Sequence, residues 1–232
     1  MSTHIDTQLA AYDWRAIEAQ LDSEGYAVLP GWLHADEARA LARATLAENA
    51  ARRELLEAVD LGRGERFYFD ANLPPPLAAW REGWYRYLAP IANGWSEALG
   101  EAYRYPAEWS AFVERDRAEA PMRAQSYVSR LRAEDFLALH QCTSGERVFP
   151  LQVVALLSAP GEDFTGGEFV MTEQRPRMQS RPMVVPLGLG DAAIIATAQR
   201  PFHGANGVYR VNLKHAISRV REGERVGLEV GF

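Results

Sequence analysis

Met183-Val184-Val185-Pro186-Leu187, then Gly188-Leu189-Gly190-Asp191, then Ala192-Ala193-Ile194-Ile195-Ala196 is the stretch whose reading decides the fold. Each apolar run is too short for a stable helix and carries β-branched residues, while the glycines and aspartate between them supply a turn. Segments of the same kind lie on both sides: Gln125 to Leu131, Leu151 to Leu157, Glu168 to Thr172, Val208 to Leu213 and Arg225 to Phe232. Short strands with glycine punctuation predict an antiparallel barrel or jelly roll.

Upstream the pattern changes. Gly25 to Pro30 reads as one short strand, but Asp36 to Val59 is rich in Ala, Leu, Glu and Arg and predicts a helix. Trp80, Trp84, Leu88, Ile91 and Trp95 recur every three or four residues, the face of a helix turned to the core. The expected fold is therefore mainly β with flanking helices (α+β), its β core over 125–232 a barrel, jelly roll or β-sandwich behind a mainly helical N-terminal part. A chain of 232 residues with 47% hydrophobic content suits a single domain, 1–232.

Composition narrows the function. Residues Met1 to Ala11 lack the basic and apolar regions of a secretion signal, and no apolar run could cross a membrane, so a cytoplasmic protein without a membrane partner is expected. With Cys142 the single cysteine, no intrachain disulfide can form. The net charge of −6 makes nucleic acid an unlikely partner, although Arg175, Arg177 and Arg181 lie close together.

The candidate chemistry rests on histidines. A mononuclear iron(II) oxygenase site commonly uses two histidines and a carboxylate on one side of the metal, leaving positions for co-substrate and oxygen. Residues i and i+2 of a strand share a face, so His140 and residue 142 can grip one ion, with His215 arriving from another strand. Beyond Gly223 comes Arg225, whose planar guanidinium suits a carboxylate held bidentately. Gly166-Gly167 lacks the Lys-Ser/Thr of a phosphate-binding loop and reads as a β-turn. Ser180 has no evident catalytic partner, and Arg181 reads equally as an anion site or a solvated charge. His4 and His34 read as solvent-facing.

Four segments, Phe149-Pro150-Leu151-Gln152, Asp163 to Phe169, Thr172 to Arg181 and Tyr209-Arg210-Val211-Asn212, resemble the prokaryotic 2-oxoglutarate/iron(II) oxygenase family described as acting on damaged nucleic acid. The resemblance runs from about Leu21 to the C-terminus. It implies a double-stranded β-helix (cupin-like) fold, iron(II) at His140, Cys142 and His215, and 2-oxoglutarate paired by Arg225. It further implies O2 as co-reactant and oxidation of a C–H bond; the acidic net charge makes a small molecule the expected substrate.

The chain departs from that pattern in three places. His140-Gln141-Cys142 stands where the family carries His-Gln-Asp. Arg130 to Phe136 has lost a tyrosine and two glycines, and His203 replaces a glutamine. Cys142 then has four readings: a thiolate ligand, a bystander leaving a position open as in 2-oxoglutarate-dependent halogenases, a residue superseded by His203, or the mark of lost metal affinity. The corresponding alternatives for the whole chain are a halogenase or other radical enzyme, an inactive binding module, and a nucleic-acid repair dioxygenase.

Overall fold

The computed structural model describes residues 2–47, 52–69, 73–119, 126–142, 148–205 and 207–232. Helices α1 (Ser2–Ala10) and α2 (Trp14–Glu24) lead into β1 (Tyr26–Leu29) and α3 (Ala35–Ala47). Then follow β2 (Arg52–Leu55), a 3₁₀ turn (Leu56–Val59), β3 (Gly62–Arg63), β4 (Glu65–Tyr68), α4 (Leu77–Ala98) and α5 (Trp109–Glu119). The remaining elements are β5 (Tyr127–Arg132), β6 (Phe136–His140), β7 (Leu151–Leu156), β8 (Phe164–Gly166), β9 (Phe169–Gln174), β10 (Arg181–Val185), β11 (Ala192–Ala196), β12 (Gln199–Gly204), β13 (Gly207–Ile217) and β14 (Val220–Val230).

Two antiparallel sheets face each other, as the jelly-roll reading expects. The larger runs β1-β11-β7-β14-β5-β4-β2 with β8 beside β14; the smaller runs β10-β9-β13-β6-β3 with β12 beside β13. Strands read from the opening stretch emerge at β10 and β11, which fall in different sheets. Leu187 and Asp191 thus flank a crossing between layers rather than a hairpin turn.

The first half is less helical than expected. α3 ends at Ala47, and the segment expected to continue it carries β2 and the 3₁₀ turn instead; β4 pairs with β5 and extends the larger sheet. Helical composition there yields to the pairing of Arg53, Phe67 and Val128 across three strands.

The tryptophan stripe behaves as read. Trp84, Leu88, Ile91 and Trp95 of α4 are buried in the apolar core. Trp14 stacks on Tyr87 with ring centroids 4.4 Å apart, and Trp32 packs on Trp84 at 4.6 Å. A second buried link, the ion pair of Arg200 with Glu173, ties the smaller sheet to α2, because Arg200 also donates to the Ser23 carbonyl at 2.7 Å.

Side chains alternate along β14, and this alternation positions the site. Val226, Leu228 and Val230 belong to the apolar core. Register puts Arg225 opposite Leu131, Gly227 opposite Ser129 and Glu229 opposite Tyr127. On the far side of β5, Ser129 pairs with Arg66 and Tyr127 with Tyr68. Paired residues share a face, so Arg66, Tyr68, Tyr127, Arg225 and Glu229 all project from one face of the larger sheet.

Candidate metal centre

His140 closes β6 and stands directly across the ladder from His215 on β13. Their ring centroids are 4.3 Å apart. Past the strand end, the Cys142 amide bonds to the Thr197 carbonyl at 3.2 Å, which turns the thiol back toward His215 Nε2 at 3.9 Å. One donor atom from each of His140, Cys142 and His215 lies within 4.8 Å of the others, close enough for a single ion to be shared.

Protonation favours a metal as well. Burial holds both imidazoles below the usual histidine range, His215 well below it. They therefore present neutral rings with lone pairs, the form that ligates. His215 is fully buried and its Nδ1 has no hydrogen-bond partner among the described residues, while its Nε2 meets only the weak thiol. An imidazole so placed carries bonding capacity that the protein does not use. The Cys142 thiol is pushed up to about 12 by burial and by the charge of Glu229, so at neutral pH it keeps its proton unless a bound cation stabilises the thiolate. The donor set thus fits a divalent transition ion, with softer character than two histidines and a carboxylate.

Arg225 is buried, and its Nε donates to the Gly167 carbonyl at 2.8 Å. That carbonyl use makes Gly166-Gly167 part of the arginine's seat, in keeping with a turn and not a phosphate loop. Burial lowers the guanidinium to about 10, still charged at neutral pH. Gly167 permits this close approach: its φ is 64°, and a Cβ there would lie 3.0 Å from Arg225 Cδ. Arg225 lines a cavity of about 360 Å³ with Leu156, Phe164, Gly167, Phe169 and Leu187. Phe169 belongs to both regions, stacking on His215 with centroids 5.8 Å apart and planes at 8°.

Other expectations separate here. His203 is exposed on β12 opposite Val208 and lies outside the group formed by His140, Cys142 and His215. Arg175 pairs with Glu173 at 2.8 Å, a carboxylate it shares with buried Arg200, and Arg181 pairs with Glu24. His34 is exposed as read; the side chain of His4 lies outside the described residues.

Four polar residues escaped the sequence reading: Arg66, Tyr127, Gln152 and Glu229, all buried. Gln152 donates to Glu229 at 3.3 Å and also hydrogen-bonds the Cys142 thiol. Arg66 lies over the Tyr127 ring at 4.5 Å and reaches His140 Nε2 at 3.1 Å. The available signal was the alternation of Arg225, Gly227 and Glu229, which places a second charged residue on the arginine's face.

A family model described as "Oxygenase, catalysing oxidative methylation of damaged DNA" matches residues 64–232. Its start lies well downstream of the Leu21 onset that the sequence motifs suggested. Two Mycobacterium tuberculosis proteins, Uncharacterized protein MT2286 and Uncharacterized protein Rv2227, are each 35% identical over 164 residues, covering 71% of this chain and 70% of their own. Among solved structures, a 2OG-Fe(II) oxygenase family oxidoreductase from Burkholderia pseudomallei aligns with a TM-score of 0.53 at 19% identity, covering 95% of this chain and 91% of that one. A Pseudomonas putida prolyl-4-hydroxylase aligns at 0.51 and 16% identity, covering 94% and 97%. These two likenesses show the shared fold. Sequence match and fold agree with the expected type, and the chain belongs to this oxygenase family.

Proposed function

We propose that the chain is an iron(II)/2-oxoglutarate-dependent oxygenase acting on a C–H bond of a small-molecule substrate, with His140, Cys142 and His215 holding the metal. The observation that carries this reading is the pair of neutral histidines facing each other across one ladder, with a thiol closing the group. When bound, iron(II) supplies the chemistry by which O2 and 2-oxoglutarate become succinate and carbon dioxide while the substrate is oxidised.

The protein's share of the work is placement. Arg225 pairs the far carboxylate of 2-oxoglutarate from a buried seat that keeps water out and strengthens the pairing. Glu229 and Gln152 fix the Cys142 sulfur, which loses its proton when the ion arrives. A small-molecule substrate is favoured over nucleic acid by the net charge of −6.

The test is 2-oxoglutarate turnover. Purified protein given iron(II), ascorbate, O2 and 2-oxoglutarate is expected to form succinate, and His215→Ala is expected to form none. Succinate at equal rates from both proteins would overturn the assignment.

A further inference from the structure

His140 Nδ1 lies 3.0 Å from the Ala138 carbonyl, and a carbonyl only accepts, so the ring proton sits on Nδ1. The other nitrogen, Nε2, carries the lone pair a metal needs. Arg66 NH2 donates to that nitrogen at 3.1 Å. A guanidinium cannot give up its proton in this range and cannot share one lone pair with a cation. Arginine and metal therefore exclude each other at His140.

The surroundings show what moves Arg66. Its guanidinium, which stays charged at any working pH, lies over the Tyr127 ring at 4.5 Å. Its Nε is buried with no partner among the described residues, so part of its donor capacity is unspent. Arg66 and Arg225 project from the same sheet face with one carboxylate, Glu229, and the row of Arg66 lies between those of Arg225 and Glu229. A divalent cation alone adds to an interior that is already positive. A dianion offsets both the cation and the freed guanidinium.

We infer that Arg66 is a positioning residue that plugs the ligand nitrogen of His140 until a dicarboxylate draws it away, so that metal and dicarboxylate bind cooperatively. This rests on the metal site proposed above. The carboxylate takes the two N–H groups that Arg66 withdraws from His140 and leaves unspent at Nε, and Nε2 of His140 turns to the ion. No chelation of the metal by the dicarboxylate is needed for the coupling.

Anaerobic titration with cobalt(II), followed by its visible absorption, tests this, with succinate as the dicarboxylate because it lacks the keto group that chelates. In the wild-type protein, saturating succinate is expected to tighten cobalt(II) binding about tenfold, within the ordinary range of coupling between sites. Arg66→Met is expected to bind cobalt(II) about tenfold more tightly without succinate and to gain little from it. Loss of a positive charge alone would also favour the cation, so the loss of the succinate effect in Arg66→Met is what marks the plug. Unchanged wild-type affinity with succinate overturns the inference whether or not Arg66→Met folds, as does equal affinity of a folded Arg66→Met. Loss of cobalt(II) binding in His215→Ala then shows that the metal site itself stands. Cobalt(II) bound equally by wild type and His215→Ala overturns both readings together.

Discussion

His140 and His215 are cross-strand partners on β6 and β13, with ring centroids 4.3 Å apart. The ladder fixes this spacing, so the pair exists before any ligand arrives. His215→Ala is expected to abolish binding of iron(II) or cobalt(II), whereas His203→Ala, at an exposed position of β12, is expected to leave it within about twofold. Metal content after anaerobic reconstitution and desalting decides between them. Retention by His215→Ala and loss by His203→Ala would reverse the assignment.

Cys142 tests whether sulfur is a ligand. Cys142→Ala is expected to bind iron(II) at least tenfold more weakly, with or without chloride, because it removes one of three donors. Cys142→Asp is expected to bind at least as well as wild type, since a carboxylate from the same turn supplies a harder anionic donor. Full affinity and turnover in Cys142→Ala when chloride is present would instead mark a site whose third position belongs to a halide.

Arg225 and Gly227 share a face of β14, and a Cβ on Gly227 would come within 2.8 Å of Arg225 NH1. The far end of a flexible side chain gives way easily, so Gly227→Val is expected to fold while displacing the guanidinium. Its affinity for 2-oxoglutarate is expected to fall, though less than in Arg225→Met, where loss of the charge-assisted pair costs on the order of 2–3 kcal/mol. Calorimetric titration of 2-oxoglutarate into each protein checks the ranking. Wild-type affinity in Arg225→Met would leave Arg225 as a structural residue only.

Glu173 carries a pH dependence of stability. Burial raises its carboxyl, but hydrogen bonds and charge from Arg175 and Arg200 outweigh this and hold it below the ordinary glutamate range. A lowered native value means the stabilisation is fully present above the unfolded value of about 4.3 and is lost as pH falls through the native one. Urea unfolding is thus expected to show stability dropping below about pH 4.3, with a shallower drop in Glu173→Gln. At neutral pH that variant is expected to lose about 3 kcal/mol, because Arg200 is left buried without its carboxylate. Equal stability at neutral pH would show the pair to be energetically idle.

The β core was legible because its strands announce themselves: Leu151–Leu156 and Ala192–Ala196 are short, apolar and bounded by turn residues, while the family motifs pointed to the jelly roll. β6 was hidden, since Phe136 to His140 alternates weakly and Phe136 and Leu139 remain exposed. The tract after α3 was misread because its composition favours helix, and only pairing with a distant strand makes Arg52–Leu55 extended. Local sequence carries no trace of that partner.

At the candidate site, the grouping of His140, Cys142 and His215 was legible through spacing and motif. Arg66 was not, because nothing near Glu65-Arg66-Phe67-Tyr68 shows that β4 pairs with β5 and aims one arginine at a histidine from β6. Glu229 was obscured by the apolar alternation of Val226, Leu228 and Val230, which drew the reading to the opposite face of its strand.

The central claim, that this interior holds iron(II) and a keto acid together, is tested most directly by anaerobic absorption spectroscopy. Wild-type protein given iron(II) and then 2-oxoglutarate is expected to develop a visible metal-to-ligand charge-transfer band, weaker in Arg225→Met at the same concentrations and absent in His215→Ala. No band in the wild-type protein at saturating iron(II) and 2-oxoglutarate would contradict it.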